Sequence, residues 1–335
     1  MDSLFTFVQE IIQIEHIIMS QNGIPSVNLA DFLSDDPARK QKFVNEIGKA
    51  YEEIGFVALK GHFLSDELVD NLYKSVRDFY ALPTETKASY IVEGIGGQRG
   101  YTAFGNEHAK GRTVGDLKEF WHFGQYLNEE DKEKYNYPEN VDVKEVPEFN
   151  IYGKEAYQQL EKTGVYVLRA LALFLGLDEF YFDDKVKNGN SILRAIHYPP
   201  ITEEPKDAVR AGAHGDINLI TLLMGAQGRG LQVQRHDGTW VDAIAEDDEL
   251  VINVGDMLSR HTNNRLKSTI HQVVNPEREL WGTSRYSIPF FMHPVSDMDL
   301  SVLEDCVTEE NPKQFEDITA GEFLTQRLRE IGLIK

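Results

Sequence analysis

Between residues 37 and 54, apolar side chains recur at Phe43, Ile47, Ala50, Tyr51 and Ile54. That three-to-four spacing places one stripe on one side of a helix. Asp36 suits the N-cap, Pro37 the first helical position and Gly55 the residue that ends the helix. The same pattern predicts a helix from Ser65, as N-cap, to Tyr80. A longer one is predicted from Glu148 to Leu175, through Tyr157, Leu160, Val167, Leu168 and Leu171, closed by Gly176. A last helix is predicted from Ala320 to Ile331, with Leu324 and Leu328 four apart. Short strands are expected at 24–29, 56–60 and 116–123. Residues 91–113 read as a long Gly-rich loop and 128–147 as charged and irregular.

From Ser191 the texture changes. Short β-type runs alternate with turns at 192–198, 214–224, 231–234, 250–254, 268–274 and 284–291. His236-Asp237-Gly238-Thr239 is a hairpin signal. Many short strands with regular turns predict a barrel or a two-sheet jelly roll, with the helices packed outside it in a single domain.

Composition narrows the function. The chain has 335 residues and a formal net charge of −21, and an acidic surface repels phosphate backbones, so nucleic acid is disfavoured as a partner. Cys306 is the one cysteine, so no intrachain disulfide forms, and a cytoplasmic location is expected. No apolar run is long enough for a membrane span, and a small-molecule substrate and a monomer are the defaults. Residues 1–20 are apolar on a helical period without a basic start or a cleavage site, so they do not read as a signal peptide. They are either a short docking helix or residues preceding a natural start at Met19.

The candidate chemistry begins at His214-Gly215-Asp216. In a strand, residues i and i+2 share a face, so an imidazole and a carboxylate stand side by side. His271 lies 55 residues beyond Asp216 in another β-type run and is expected to arrive from the opposite wall. Two His and one carboxylate make a facial triad that leaves coordination positions open, the set used by non-haem iron(II) oxygenases. His261 is a rival distal ligand, but it sits in a polar stretch that reads as loop. Arg285 and Ser287 also share a face, and Arg285 has no acidic neighbour alternating with it on its own strand. A bound carboxylate would satisfy a buried guanidinium there. A lone His-x-Asp is most often accidental, and a lone Arg is most often a surface residue; together they are not.

With these residues in hand, the chain from Ile24 onward resembles the isopenicillin N synthase-like branch of the iron(II)/2-oxoglutarate-dependent dioxygenases. The resemblance runs through the segments 214–223, 230–233, 238–241, 251–256, 264–271 and 285–291, and in the N-terminal half through 24–29, 55–62, 99–101 and 116–120. It implies a distorted double-stranded β-helix, mainly β with flanking helices. It divides the chain into an extension (1–23), an N-terminal region (24–150) and a jelly-roll core with the C-terminal helix (151–335). It implies that His214, Asp216 and His271 bind iron(II), and that Arg285, Ser287 and Tyr198 bind 2-oxoglutarate. It further implies that oxygen is consumed, that succinate and carbon dioxide are released, and that the substrate is hydroxylated. One departure is visible: many plant members carry Asn two residues before this tyrosine, where this chain has Ile196. Phe291 shares the face of Arg285 and Ser287 and is a candidate wall of the substrate pocket; Phe104, Trp121 and Phe123 are candidates at its mouth, although core packing is the more ordinary role for each.

Two other readings remain open at this point. An oxidase or cyclase of the isopenicillin N synthase or aminocyclopropane-carboxylate oxidase type uses the same triad without 2-oxoglutarate. A non-catalytic small-molecule-binding jelly roll is the alternative outside enzymes. The identity of the substrate is not readable, because loop side chains set it.

Overall fold

The computed structural model describes residues 23–107, 115–205, 208–227, 230–235 and 237–330. The expectations for the N-terminal helix and Met19, for residues 108–113, for His236 and for Ile331 lie outside these.

Four long helices occupy Pro37–Glu53 (α1), Asp66–Tyr80 (α2), Pro147–Phe174 (α3) and Ala320–Glu330 (α4). Their starts follow the expected chemistry. The Asp36 carboxylate accepts from Ala38 N at 2.9 Å with Pro37 at the first position, and Ser65 Oγ accepts from Leu68 N at 3.2 Å. Gly55 ends the first helix region at φ +74°, and a Cβ there would stand 2.2 Å from the Lys267 carbonyl, so the turn into the next strand needs glycine. Helix α3 is the spine of the helical layer. Its buried face, including Tyr157, Leu160, Val167, Leu168 and Leu171, packs against α1 and α2 on one side and the sheet on the other.

Twelve strands follow in chain order. They are β1 (Ser26–Asn28), β2 (Phe56–Lys60), β3 (Gly100–Thr102), β4 (Glu119–Gly124), β5 (Ile192–Tyr198) and β6 (Ala211–His214). The remainder are β7 (Ile220–Gln227), β8 (Leu231–Gln234), β9 (Trp240–Asp242), β10 (Leu250–Val254), β11 (His271–Val273) and β12 (Arg285–Met292). They form an eight-stranded sheet, β1-β2-β10-β7-β12-β5-β4-β3, and a four-stranded sheet, β6-β11-β8-β9. Every pairing is antiparallel except β1 with β2. These are the two sheets of a jelly roll, with helices on the outside of the larger one. Among the described residues, no helix is long and apolar enough to cross a membrane.

Several boundaries differ from expectation. The run 214–224 is not one strand: β6 ends at His214, β7 begins at Ile220, and the chain changes sheets between them. The run 116–123 starts its strand only at Glu119, because Asp116 and Lys118 are drawn into ion pairs and Asp116 Oδ1 accepts from Gly212 N. The run 268–274 is a strand only from His271, since Ser268 and Thr269 spend their hydroxyls on Asp256 and the Ile54 carbonyl. Within 128–147 the acidic run 129–135 is a short helix capped by Asn128, and Gly100–Thr102 pairs with β4 inside the supposed loop.

Candidate active site

His214 is the last residue of β6 and His271 the first of β11, and the two are direct cross-strand partners. His271 therefore comes from the neighbouring strand and not from the opposite wall. Asp216 stands beyond the end of β6, in the connection to β7, so the turn and not the strand alternation aims it. The candidate ligand atoms of the three side chains lie within 4.8 Å of one another, the only such His/Cys/Asp/Glu group among the described residues. His261 is excluded as a rival by its partners: it ends the short helix 256–261, buried, with Nδ1 on the Ser301 carbonyl and Nε2 on the Tyr181 hydroxyl.

The surroundings select which atoms are free. Asp216 Oδ2 accepts from Thr221 Oγ1 at 2.6 Å and from Asn253 Nδ2 at 2.8 Å. Oδ1 is left to face the imidazoles, 3.7 Å from His271 Nε2 and 4.0 Å from His214 Nε2. His214 Nδ1 donates to the Gly212 carbonyl at 2.7 Å, and His271 Nδ1 faces the Thr269 carbonyl at 3.2 Å. Both rings thus turn Nε2, the nitrogen without a proton, toward the carboxylate, as metal-binding imidazoles do. Burial, with His271 beside it, lowers the His214 pKa to about 4, so the ring is a neutral donor at physiological pH. Burial pushes Asp216 upward, but the imidazoles and the Asn253 and Thr221 hydrogen bonds outweigh it, and the group sits below its ordinary value. Two imidazoles and a carboxylate fit a divalent, oxygen-activating metal.

In the large sheet, Arg285 on β12 pairs in register with Tyr198 on β5, and its guanidinium lies 5.0 Å from the Tyr198 ring centre. Arg285 is 2% exposed, and its Nε and Nη1 have no hydrogen-bond partner. An orphaned buried cation of this kind calls for an anion. Ser287 follows on the same face, buried. Ile196, where many plant members have Asn, packs with Phe120 and Tyr198, so hydrophobic contact replaces a polar one.

A cavity of about 380 Å³ is lined by His214 and Asp216. Phe291, Ile192, Ile217, Ile270, Leu324 and Leu328 give it apolar walls, and His293 also lines it. One wall is charged. Arg194 holds Glu107 in a bidentate pair (3.0 and 3.2 Å), donates from Nε to His122 Nε2 at 2.6 Å, and stacks over Phe120 and Phe291. Lys118 bridges Glu107 and Asp116 at 2.8 and 3.0 Å. Burial pushes Glu107 up, yet Arg194 and Lys118 prevail and keep it ionised. Burial and the adjacent Arg194 hold His122 neutral.

Of the aromatic candidates, the structure brings Phe291 to the cavity. Trp121 and Phe123 alternate to the other face of β4 and pack edge-on and tilted against Phe149 of α3, and Phe104 is 49% exposed and outside the cavity wall. Of β4, His122 lines the cavity, and Phe120 lies under the Arg194 guanidinium. Sequence reasoning missed Thr221, Asn253, Arg194, Glu107 and His293. Thr221, Asn253 and Arg194 stand out as polar residues inside otherwise apolar strands, a signal that does not say what they meet.

Comparison with known proteins agrees with this geometry. Residues 24–146 match the model of the non-haem dioxygenase N-terminal region (described for morphine synthesis), and residues 189–294 match the 2OG-Fe(II) oxygenase superfamily. The 2-oxoglutarate-Fe(II) type oxidoreductase hxnY of Emericella nidulans is 30% identical over 320 residues, covering 91% of this chain and 89% of that one. A 2OG-Fe(II) oxygenase family protein of Caulobacter crescentus superposes with a TM-score of 0.83 at 45% identity, covering 92% and 99%. A Neurospora crassa protein solved in complex with alpha-KG and thymine gives a TM-score of 0.81 at 29% identity, covering 93% and 99%. Relatives named for or solved with 2-oxoglutarate decide against both the 2-oxoglutarate-independent oxidase and the non-catalytic jelly roll. The chain belongs to the 2OG-Fe(II) oxygenase superfamily and is a 2-oxoglutarate-dependent non-haem iron dioxygenase.

Proposed function

We propose that His214 Nε2, Asp216 Oδ1 and His271 Nε2 hold the iron(II), that Arg285, Ser287 and Tyr198 hold the distal carboxylate of 2-oxoglutarate, and that the enzyme hydroxylates a small polar molecule bound against Phe291. The observation that carries the reading is the convergence of three ligand atoms from His214, Asp216 and His271, in a chain that also buries Arg285 with two unmatched nitrogens. Iron(II), when bound, supplies oxygen activation coupled to decarboxylation of 2-oxoglutarate to succinate and carbon dioxide. The chain's own residues do the rest. Thr221 and Asn253 occupy one oxygen of Asp216 so that the other is presented. The Gly212 and Thr269 carbonyls set the imidazole tautomers. Leu324 and Leu328 of α4 close the cavity against water.

The cavity, at about 380 Å³, suits a small ligand. Its charged wall is internally balanced, Lys118 and Arg194 against Glu107 and Asp116, which favours an uncharged substrate with several hydrogen-bonding groups. A planar ring stacking on Phe291 meets both demands. The Neurospora crassa relative, which binds thymine, supports starting with pyrimidine bases.

The test is anaerobic addition of iron(II) and then 2-oxoglutarate, watched for the weak visible charge-transfer band of the chelate. The band should form in the wild type, fail in His271→Ala, and need far more 2-oxoglutarate in Arg285→Ala, whose iron content should be unchanged. A band of undiminished affinity in Arg285→Ala would overturn the assignment of the carboxylate subsite. Succinate release on adding candidate substrates in air then screens for the substrate.

A further inference from the structure

Arg210 immediately precedes β6, four residues before His214, and is 3% exposed. Its Nε has no partner, and its one hydrogen bond runs from Nη2 to the Thr283 carbonyl at 3.4 Å, a long contact. Its guanidinium lies 5.8 Å from the ring centre of Tyr198, the ring that Arg285 approaches at 5.0 Å. Two buried guanidiniums therefore lie within 5.8 Å of the centre of one tyrosine ring, Arg285 from the large sheet and Arg210 from the edge of the small one. Neither forms an ion pair with a described carboxylate. Burial, with Arg285 second, lowers the Arg210 pKa to about 10, which leaves it a cation at neutral pH and agrees with two charges close enough to repel.

Two like charges held together out of water, with three N–H groups unmatched between them, are unfavourable in the protein alone. An anion placed between them removes the repulsion and supplies acceptors for both. Structural packing does not account for the arrangement, because a neutral side chain would fill the same space without the charge.

We propose that Arg210 is a second cation of the cosubstrate subsite, sharing the distal carboxylate of 2-oxoglutarate with Arg285. The proposal rests on the reading of Arg285, Ser287 and Tyr198 as that subsite. A carboxylate has two oxygens and about four lone-pair positions, so two guanidiniums and the Ser287 hydroxyl can be accommodated at once. The arrangement would make the enzyme selective for 2-oxo acids that carry a second carboxylate.

The experiment is equilibrium binding to the iron(II)-loaded protein without oxygen, with two ligands. One is 2-oxoglutarate; the other is 2-oxobutanoate, which keeps the keto-acid chelate and lacks the distal carboxylate. Arg210→Gln should raise the dissociation constant for 2-oxoglutarate at least about tenfold, the size of a lost charge-assisted hydrogen bond, and leave that for 2-oxobutanoate unchanged. Equal affinities for 2-oxoglutarate in variant and wild type, or equal weakening of both ligands, would overturn the proposal. Melting temperature and iron content check the fold. If Arg210→Gln does not fold, Arg210→Lys serves: it keeps the charge and loses the planar fork, and should weaken 2-oxoglutarate about threefold or more. Unchanged affinity there also counts against Arg210. Arg285→Gln is the control. If it abolishes 2-oxoglutarate binding while Arg210→Gln does nothing, Arg210 alone is wrong; if Arg285→Gln binds normally, the subsite itself has been misread.

Discussion

In the proposed metal site, Asp216 is aimed by residues that would not touch the metal. Its Oδ2 is taken up by Thr221 and Asn253, which face each other across β7 and β10, and only this leaves Oδ1 directed at the two Nε2 atoms. Asp216→Ala should abolish iron binding and turnover, because imidazole ligands alone do not balance the charge of the metal. Asn253→Ala should be milder. Removing one partner of a ligating carboxylate costs on the order of 10–100-fold in metal affinity, measurable by competition with a chelating dye. Iron affinity unchanged within about twofold would mean that Thr221 alone orients the carboxylate. The residue types of the triad are readable from the chain, but these two supports are not, since Thr and Asn inside strands most often satisfy only the backbone.

At the scale of elements, the site is a seam between sheets. β6 brings His214 and pairs with β11, which brings His271; the connection that leaves the small sheet for the large one carries Asp216. The C-terminal helix α4 lies over this seam. Leu324 and Leu328 line the cavity, and Arg327 makes an ion pair with Asp256, whose backbone N–H donates to the Asp216 carbonyl at 2.7 Å and whose side chain accepts from Ser268. The helix is thus tied to both ligand-bearing segments. Replacing Arg327 with Met should leave iron and 2-oxoglutarate binding intact. It should also raise KM for the substrate several-fold and release more succinate per product formed, because a loosened lid admits water. A succinate-to-product ratio equal to that of the wild type would show that the ion pair only stabilises the helix.

For the whole molecule, acid is the informative perturbation. His122, His261 and His293 are buried and held below the ordinary imidazole value, in each case chiefly by burial, with His293 at about 4. The unfolded chain takes up protons near pH ~6.5, where these folded sites do not. Stability is therefore full above that value and is lost as pH falls from about 6.5 toward 4, at up to about 1.4 kcal/mol per pH unit for each such histidine. The melting temperature of the metal-free protein should fall steadily between about pH 7 and 5. A flat profile over that range would mean that these rings are protonated in the folded state. The net charge of −21 does not reverse the sign, because the carboxylates that would relieve it titrate mostly below this window.

What the chain determines by itself is local and periodic. Capping residues and helical spacing located the helices at 37–53, 66–80 and 147–174, and period-two runs located most strands of the core. The spacing of His214, Asp216, His271, Arg285 and Ser287 suggested the proposed chemistry, and the resemblance of the segments around them and in the N-terminal half carried the family. The tertiary structure alone decided the rest. Strand alternation assigns a face but not which face meets the cavity, so Trp121 and Phe123 proved to be core and His122 the residue of β4 that lines the site. A break between β6 and β7 has no turn glycine or proline to announce it beyond Gly215, so a single strand was the natural reading of 214–224. The long-range partners, Asn253 to Asp216, Arg210 beside Arg285 and Arg327 to Asp256, join segments tens of residues apart. Such pairings follow from how the two sheets close on each other, a global packing event that no local pattern encodes.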